Sequence, residues 1–488
     1  MYDHKILNDL LLYFRFEKKE KTMEKEMASE MRKSSWQERY LASQIYTLRC
    51  KIEDNVGMLG KIFTAIGQTN TNLGDVTTIG IEGKSKIRDI QVYCSSKQQL
   101  DKVIESVKQV AGLEILNVQD DVMEIHRRGA IDIKSRIPIR TLTDLRMIYT
   151  PGVASVCQKI VAEPDSAWEY TGLCDRVAVV TNGTAVLGLG NIGVVPSLPV
   201  MEGKAAIFSE FANISAVPML VDSKNPDEVV ETVCKIAKSF GAIQLEDISA
   251  PTCFEIEKKL QDRLDIPVMH DDQHGTATVL LAALMNALKK TKKDPKKCSV
   301  LILGAGAAGV AITKILLKFG VKDIVVYDSC GAIYRGRTEK MNIYKQQLAE
   351  ITNKENQQCS LLEGFKGKDI FIGVAQPNAV SKEMIAAMAK DALVFPLSNP
   401  VGEITVKEAL EAGAAVAADG RTINNALAYP GLFRGALNIK AKDITVDMQL
   451  AAAQTLAQIS PEGKLLPDIL EKATHEAVTK AVEQAYKE

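Results

Sequence analysis

A continuous apolar run, Cys298-Ser-Val-Leu-Ile-Leu303, leads directly into Gly304-Ala305-Gly306-Ala307-Ala308-Gly309, and then into Val310 to Phe319, which has helical spacing. A run of that kind suits a parallel strand buried on both faces. Of the three glycines, the first allows a tight turn, the second lets backbone approach a pyrophosphate, and the third brings helix against strand. The helix start then offers free N–H groups and a positive dipole end to phosphates. Gly320 closes the helix and Asp323-Ile-Val-Val-Tyr-Asp328 supplies the next strand. Asp328 ends that strand some 24 positions after Gly304, near the usual interval of about 20 for the acidic residue that meets the adenosine ribose. The unit is therefore read as a dinucleotide site formed by Gly304, Ala305, Gly306, Ala307, Ala308, Gly309 and Asp328. Asp328 favours NAD, because a carboxylate repels the extra phosphate of NADP. Arg335 and Arg337 follow closely and keep NADP open.

The same glycine pattern occurs at Gly188-Leu-Gly-Asn-Ile-Gly193, but Pro196 and Pro199 follow it. Proline removes a helix hydrogen bond and clashes with the preceding turn. This second match is accordingly expected to be a turn near the active site, with no helix behind it.

The rest of the chain sets limits. At 488 residues it needs several domains. A net charge of −1 gives no electrostatic footprint for nucleic acid or an anionic membrane. No apolar run approaches the roughly 18 to 20 residues of a bilayer span, and the Ile6 to Phe16 stretch, broken by Asn8, Asp9 and Arg15, is no secretory signal. Nine scattered cysteines with no Cys-x-x-Cys pair read as free thiols in a reducing, cytoplasmic setting.

Residues 1–44, rich in Lys, Glu and Met, read as a charged helical or disordered arm. From Tyr46 the pattern changes to alternation, and turn and helix signals through residue 125 spell a β-α-β-β-α-β unit, the ferredoxin-like arrangement. Asp54-Asn-Val-Gly-Met-Leu-Gly-Lys-Ile-Phe-Thr-Ala-Ile-Gly, followed by Thr71-Asn-Leu-Gly-Asp, resembles an ACT regulatory domain over roughly 80 residues. The resemblance implies pairing through sheets and a small effector, often an amino acid, at the loop holding Asn55, Gly57, Met58 and Leu59. The same residues would otherwise simply begin the first helix.

Several segments look unlike packing sequence. Tyr149 stands beside a Pro-Gly turn and is a candidate acid. Lys204 lies between a glycine and an apolar run, where desolvation is expected to lower its pKa and make it a base. Glu246 and Asp247 end one apolar strand; Asp271 and Asp272 end another. Such acidic pairs are costly unless a cation neutralises them, and hard oxygen ligands point to Mg²⁺ or Mn²⁺. A zinc pair from His270 and His274 would need a continuous helix, which Gly275 argues against.

In order along the chain, Tyr-Thr-Pro-Gly-Val, Gly-Lys-Ala, Leu-Glu-Asp, His-Asp-Asp-Gln-His-Gly-Thr, Leu-Ser-Asn-Pro and Asn-Asn-Ala-Leu-Ala-Tyr-Pro-Gly resemble malic enzyme of the shorter bacterial type, over roughly residues 130 to 455. The resemblance implies oxidative decarboxylation of malate to pyruvate with reduction of NAD(P)⁺. Lys204 would be the base, Tyr149 the acid that protonates the enol, and Glu246, Asp247 and Asp272 the metal ligands. Asp271 would orient Lys204 or a ligand, while Asn399, Asn424 and Asn425 would contact substrate and nicotinamide. Ala185 stands where longer eukaryotic members carry an arginine, so the partner of the second malate carboxylate is open. Both resembled families imply a homodimer. The expected fold is α/β: an ACT-like domain (45–126), an α/β substrate and metal domain (127–275), a Rossmann-type NAD(P) domain (276–450) and a helical tail (451–488). Two alternatives are a malolactic conversion to lactate and an amino-acid-sensing protein with an idle catalytic half.

Overall fold

The computed structural model describes residues 44–186 and 188–487; the expected arm, except for its last residue, lies outside them. The chain divides into two compact units, with the boundary between Ala130 and Ile131.

The first unit begins with β1 (Gln44–Glu53), α1 (Met58–Gln68), β2 (Asn72–Glu82) and β3 (Ser85–Cys94). It continues with α2 (Lys97–Lys108), β4 (Leu113–Asp120) and a short α3 (Asp121–Ile125). The strands form one sheet in the order β2-β3-β1-β4, with β1 antiparallel to both β3 and β4. The alternation that marked β1 in the sequence buries Tyr46, Leu48, Cys50 and Ile52 against Ile62, Ile66 and Val103 of the two helices.

In the second unit, α4 (Leu142–Ile148) and α5 (Val153–Ala162) bury no residue at all. A four-stranded parallel sheet follows, ordered β6-β5-β7-β8. It is built from β5 (Arg176–Thr181), α6 (Val194–Ala212), β6 (Ser215–Leu220), α7 (Pro226–Ile236), β7 (Ala242–Leu245), α8 (Thr252–Arg263) and β8 (Val268–His270). Helix α9 (Asp271–Thr291) links it to the second sheet. That sheet uses β9 (Ser299–Leu303), α10 (Ala307–Phe319), β10 (Asp323–Asp328), β11 (Gly331–Ala332) and α11 (Ile343–Ile351). It is completed by β12 (Ile370–Gly373), β13 (Leu393–Pro396) and β14 (Val416–Ala417), in the order β11-β10-β9-β12-β13-β14. All its neighbours are parallel except the β10–β11 pair. Helices α12 (Tyr429–Asn438), α13 (Val446–Ile459) and α14 (Lys472–Ala485) close the unit.

Both sheets reverse their strand order, between β5 and β7 and between β9 and β12. The crevice beyond the carboxyl ends at such a reversal is where open α/β sheets bind ligands. Acidic residues follow β7 and the glycine loop follows β9, so each reversal carries a candidate site.

Two expectations about helices are corrected. Gly275 does not interrupt a helix: α9 runs continuously from Asp271, with Ala277 to Leu284 buried. Burial of that length outweighs the roughly 1 kcal/mol that one glycine costs. Likewise α6 contains Pro196 and Pro199. Pro196 falls in the first turn, where backbone N–H groups have no helical partner anyway. The last two helices are no detached tail, since Val478 and Val482 of α14 are fully buried in the main core.

Candidate active site

Lys204 projects from α6 and is clamped on three sides. Its Nζ donates to Asp271 Oδ2 at 2.6 Å, lies 3.1 Å from Glu246 Oε1, and sits 4.7 Å from the centre of the Tyr429 ring. Burial alone would lower its pKa, but the Asp271 and Glu246 carboxylates hold it well above the ordinary lysine value. This reverses the expected lowering: desolvation acts, and two buried negative charges outweigh it.

The acidic groups are under strain from one another. Burial pushes Glu246 well above the usual carboxylate range, with Lys204 opposing and Asp272, Asp271 and Asp247 adding to the rise. Asp271 is raised for the same first reason. Gln244 Nε2 donates to Glu246 Oε2 at 2.6 Å and fixes its plane. Asp247 adopts φ 53°, and its backbone N–H donates to Asp272 Oδ2 at 3.0 Å. One oxygen from each of Glu246, Asp247 and Asp272 lies within 4.8 Å of the other two. Three hard oxygen donors converging in a site with surplus negative charge fit Mg²⁺ or Mn²⁺.

A second layer steadies the metal-ligand loop. Buried Glu257 on α8 accepts the His270 backbone N–H at 2.8 Å and Gln273 Nε2 at 3.0 Å, and pairs with His274 Nε2 at 3.1 Å. His274 thus faces Glu257, while His270 stands just before α9 with no capping bond from its side chain. Burial opposes the charge on His274, yet Glu257 raises its pKa above the usual histidine value. Glu257 escaped the sequence reading because nothing in a helical stretch marks a partner on the next strand. Tyr429 lay within a quoted motif, but only the fold brings its ring to Lys204.

The glycine loop fits a dinucleotide. Gly304 has φ 119°, and a Cβ there would collide with the Val374 carbonyl oxygen. Around Gly306 nothing lies within 4 Å of a Cβ position, leaving the helix start open to phosphates. Ala305, Ala307 and Ala308 pack their methyls partly into the core beside Gly309. The other glycine loop abuts the loop after β13: a Cβ on Gly188 would come within 2.8 Å of Pro400 Cδ and 3.0 Å of the Asn399 carbonyl oxygen. Asn425 lies against the start of α9, while the Asn424 side chain accepts the Ala426 N–H and caps a turn.

Tyr149 is not gathered into this cluster. It is 68% exposed, and the phenol beside Lys204 is Tyr429. In the front unit, Met58 is buried in the core, Leu59 packs against it, and of the four only Asn55 and Gly57 are exposed; Gly57 precedes α1 at φ 85° and the Asn55 side chain donates to Glu53. All nine cysteines are free thiols. Among the described residues no helix is long and apolar enough to cross a membrane.

The chain matches two family models: malic enzyme, N-terminal domain, over residues 131–261, and malic enzyme, NAD binding domain, over residues 273–423. An NAD-dependent malic enzyme of Geobacillus stearothermophilus is 44% identical, covering 91% of this chain and 95% of the relative. A bifunctional malic/malolactic enzyme of Bacillus subtilis is also 44% identical, covering 76% of this chain and 93% of the relative. The crystal structure of an NAD-dependent malic enzyme from Thermotoga maritima superposes with a TM-score of 0.73 at 40% identity, covering 75% of this chain and all of that one. A lysine clamped by carboxylates at one sheet reversal, a dinucleotide loop at the other, and relatives matching across both sheets place this chain in the malic enzyme family.

Proposed function

We infer that the protein catalyses the oxidative decarboxylation of (S)-malate to pyruvate and CO₂ with reduction of NAD⁺, using Mg²⁺ or Mn²⁺. The observation that carries this is the buried Lys204–Asp271–Glu246 cluster beside the convergent Glu246, Asp247 and Asp272 oxygens.

When bound, the dication supplies positive charge next to the substrate hydroxyl and the enolate oxygen, and the nicotinamide supplies the hydride acceptor. Glu246, Asp247 and Asp272 hold the metal. Lys204 would take the hydroxyl proton once a bound dication offsets the Glu246 and Asp271 charges that otherwise keep its ammonium protonated, since an alcohol is oxidised only if its proton has a base to receive it. Asp271 orients that lysine through their hydrogen bond. Asn399, Asn424 and Asn425 contact substrate and nicotinamide. Tyr149 protonates the enol, and its exposed position is consistent with action at a site completed by a second copy. Ile133, Leu142, Met147 and Val161, in the same stretch, are exposed too, and a homodimer would cover them. The front unit, with its βαββαβ order, acts as an ACT-like regulatory domain that binds a small effector near Asn55. Cytoplasmic residence agrees with the free thiols.

One assay tests the reading. Malate with Mn²⁺ and NAD⁺ should give NADH and pyruvate in equal amounts. Lactate without net NADH would convert the reading to the malolactic reaction named for the Bacillus relative, and no turnover with either dinucleotide would overturn it.

A further inference from the structure

Asp247, which follows the end of β7, holds a left-handed backbone conformation with φ 53°. A residue other than glycine persists there only where its surroundings over-determine it. Three bonds tie its segment to β5 and the loop behind β5. The Glu246 N–H donates to the Val180 carbonyl oxygen at 2.9 Å, the Asp247 carbonyl oxygen accepts the Ala185 N–H at 2.9 Å, and the Ser249 N–H donates to Thr184 Oγ1 at 3.0 Å. Of the three, only the last uses a side chain.

The Thr184 hydroxyl is itself aimed. It donates its one proton to Asn182 Oδ1 at 2.6 Å, which leaves its lone pairs to accept the Ser249 N–H. Asn182 is 5% exposed, and its Nδ2 donates to the Ser223 carbonyl oxygen at 3.1 Å. A flipped amide would set its oxygen against that carbonyl, so the amide has one orientation. The backbone between the two side chains is equally constrained: the Gly183 N–H donates to Thr181 Oγ1 at 3.0 Å, and a Cβ on Gly183 would collide with the Gly193 carbonyl group. The relay therefore runs Ser223, Asn182, Thr184, Ser249, and joins the loops behind β6, β5 and β7.

We propose that Asn182 and Thr184 are positioning residues for the metal centre: the Thr184 hydroxyl holds Asp247 in its left-handed conformation through the Ser249 N–H, and Asn182 aims that hydroxyl. The proposal rests on Asp247 being a metal ligand and adds the groups that fix its place. The Asp247 N–H also donates to Asp272 Oδ2, so a shift of the 247–249 segment disturbs two of the three carboxylates at once. Groups that orient ligands without touching the metal commonly change its affinity about tenfold or more.

The test is Mn²⁺ binding to the full chain, followed by electron paramagnetic resonance, with calorimetric binding of NAD⁺ as the control. Thr184→Val keeps the shape, removes the hydroxyl, and should weaken Mn²⁺ about tenfold while leaving NAD⁺ binding unchanged. Thr184→Ser should keep most of the Mn²⁺ affinity. Asn182→Ala should weaken Mn²⁺ too, and the double variant should be no weaker than Thr184→Val alone, because both residues act through one bond. Unchanged Mn²⁺ affinity in Thr184→Val would overturn the proposal, as would a serine variant as weak as the valine one, or additive losses in the double variant. Equal weakening of Mn²⁺ and NAD⁺ would overturn it as well, since general damage to the fold would do that. Failure of the unaltered protein to bind Mn²⁺ would instead remove the metal site on which it rests.

Discussion

The Lys204 ammonium lies 4.7 Å from the centre of the Tyr429 ring, and that ring is itself held edge-on by Phe208 at 4.8 Å. A desolvated contact of this type contributes about 2 kcal/mol. Tyr429→Leu should therefore lower kcat for malate oxidation by at least tenfold, whereas Tyr429→Phe, which keeps the ring, should stay within a few fold. Steady-state kinetics on both variants decide it, and equal losses would mean that the hydroxyl rather than the ring matters.

Lys204→Ala and Asp272→Ala should each abolish malate oxidation, for different reasons. Mn²⁺ titration separates them: Asp272→Ala loses metal affinity, while Lys204→Ala retains it. If both variants bound Mn²⁺ as the unaltered protein does, Asp272 would not be a ligand.

For Tyr149→Phe the two partial reactions should separate. Pyruvate formation from malate should fall much more than reduction of oxaloacetate by NADH, because enol protonation follows hydride transfer. Parallel losses would remove Tyr149 from the role of acid.

Gly304→Ala places a methyl against the Val374 carbonyl oxygen at a backbone φ of 119°. The strain of such a position is about 1–3 kcal/mol. A lower melting temperature together with weakened NAD⁺ binding is expected; an unchanged protein would show that the loop relaxes freely.

The His274–Glu257 pair gives a pH dependence of known sign. Burial opposes the histidine charge, but Glu257 raises its folded pKa above 6.5. Its contribution to stability is therefore complete below the unfolded value and is lost as pH rises through the raised folded value. In EDTA, the melting temperature should fall more steeply above pH 6.5 for the unaltered protein than for His274→Gln. Identical slopes would contradict the charged pair.

Much of this protein is local in origin and was legible. The apolar run into Gly304, the closing Gly320 and the strand ending at Asp328 are each short-range signals, and all three appear in the structure where the pattern puts them. The acidic pairs at strand ends were readable for the same reason, because a carboxylate after a buried strand is conspicuous. Local rules failed at Gly275, Pro196 and Pro199, where packing of the long helices α9 and α6 overrode them.

Sequence alone determined most of the strands and helices, α6 and the start of α9 excepted, and which residue types stand at their ends, since turn chemistry and periodicity act over a few neighbours. Only the tertiary structure decided which charges meet. Lys204 finds Asp271 across 67 positions and Tyr429 across 225; Lys345 reaches Asp328 across 17. Those meetings turn a lysine expected to be lowered into one held high, and set an aspartate expected to repel phosphate beside a cation. The physical reason is that a buried group's charge state depends on the groups packed around it, and packing is a property of the whole fold.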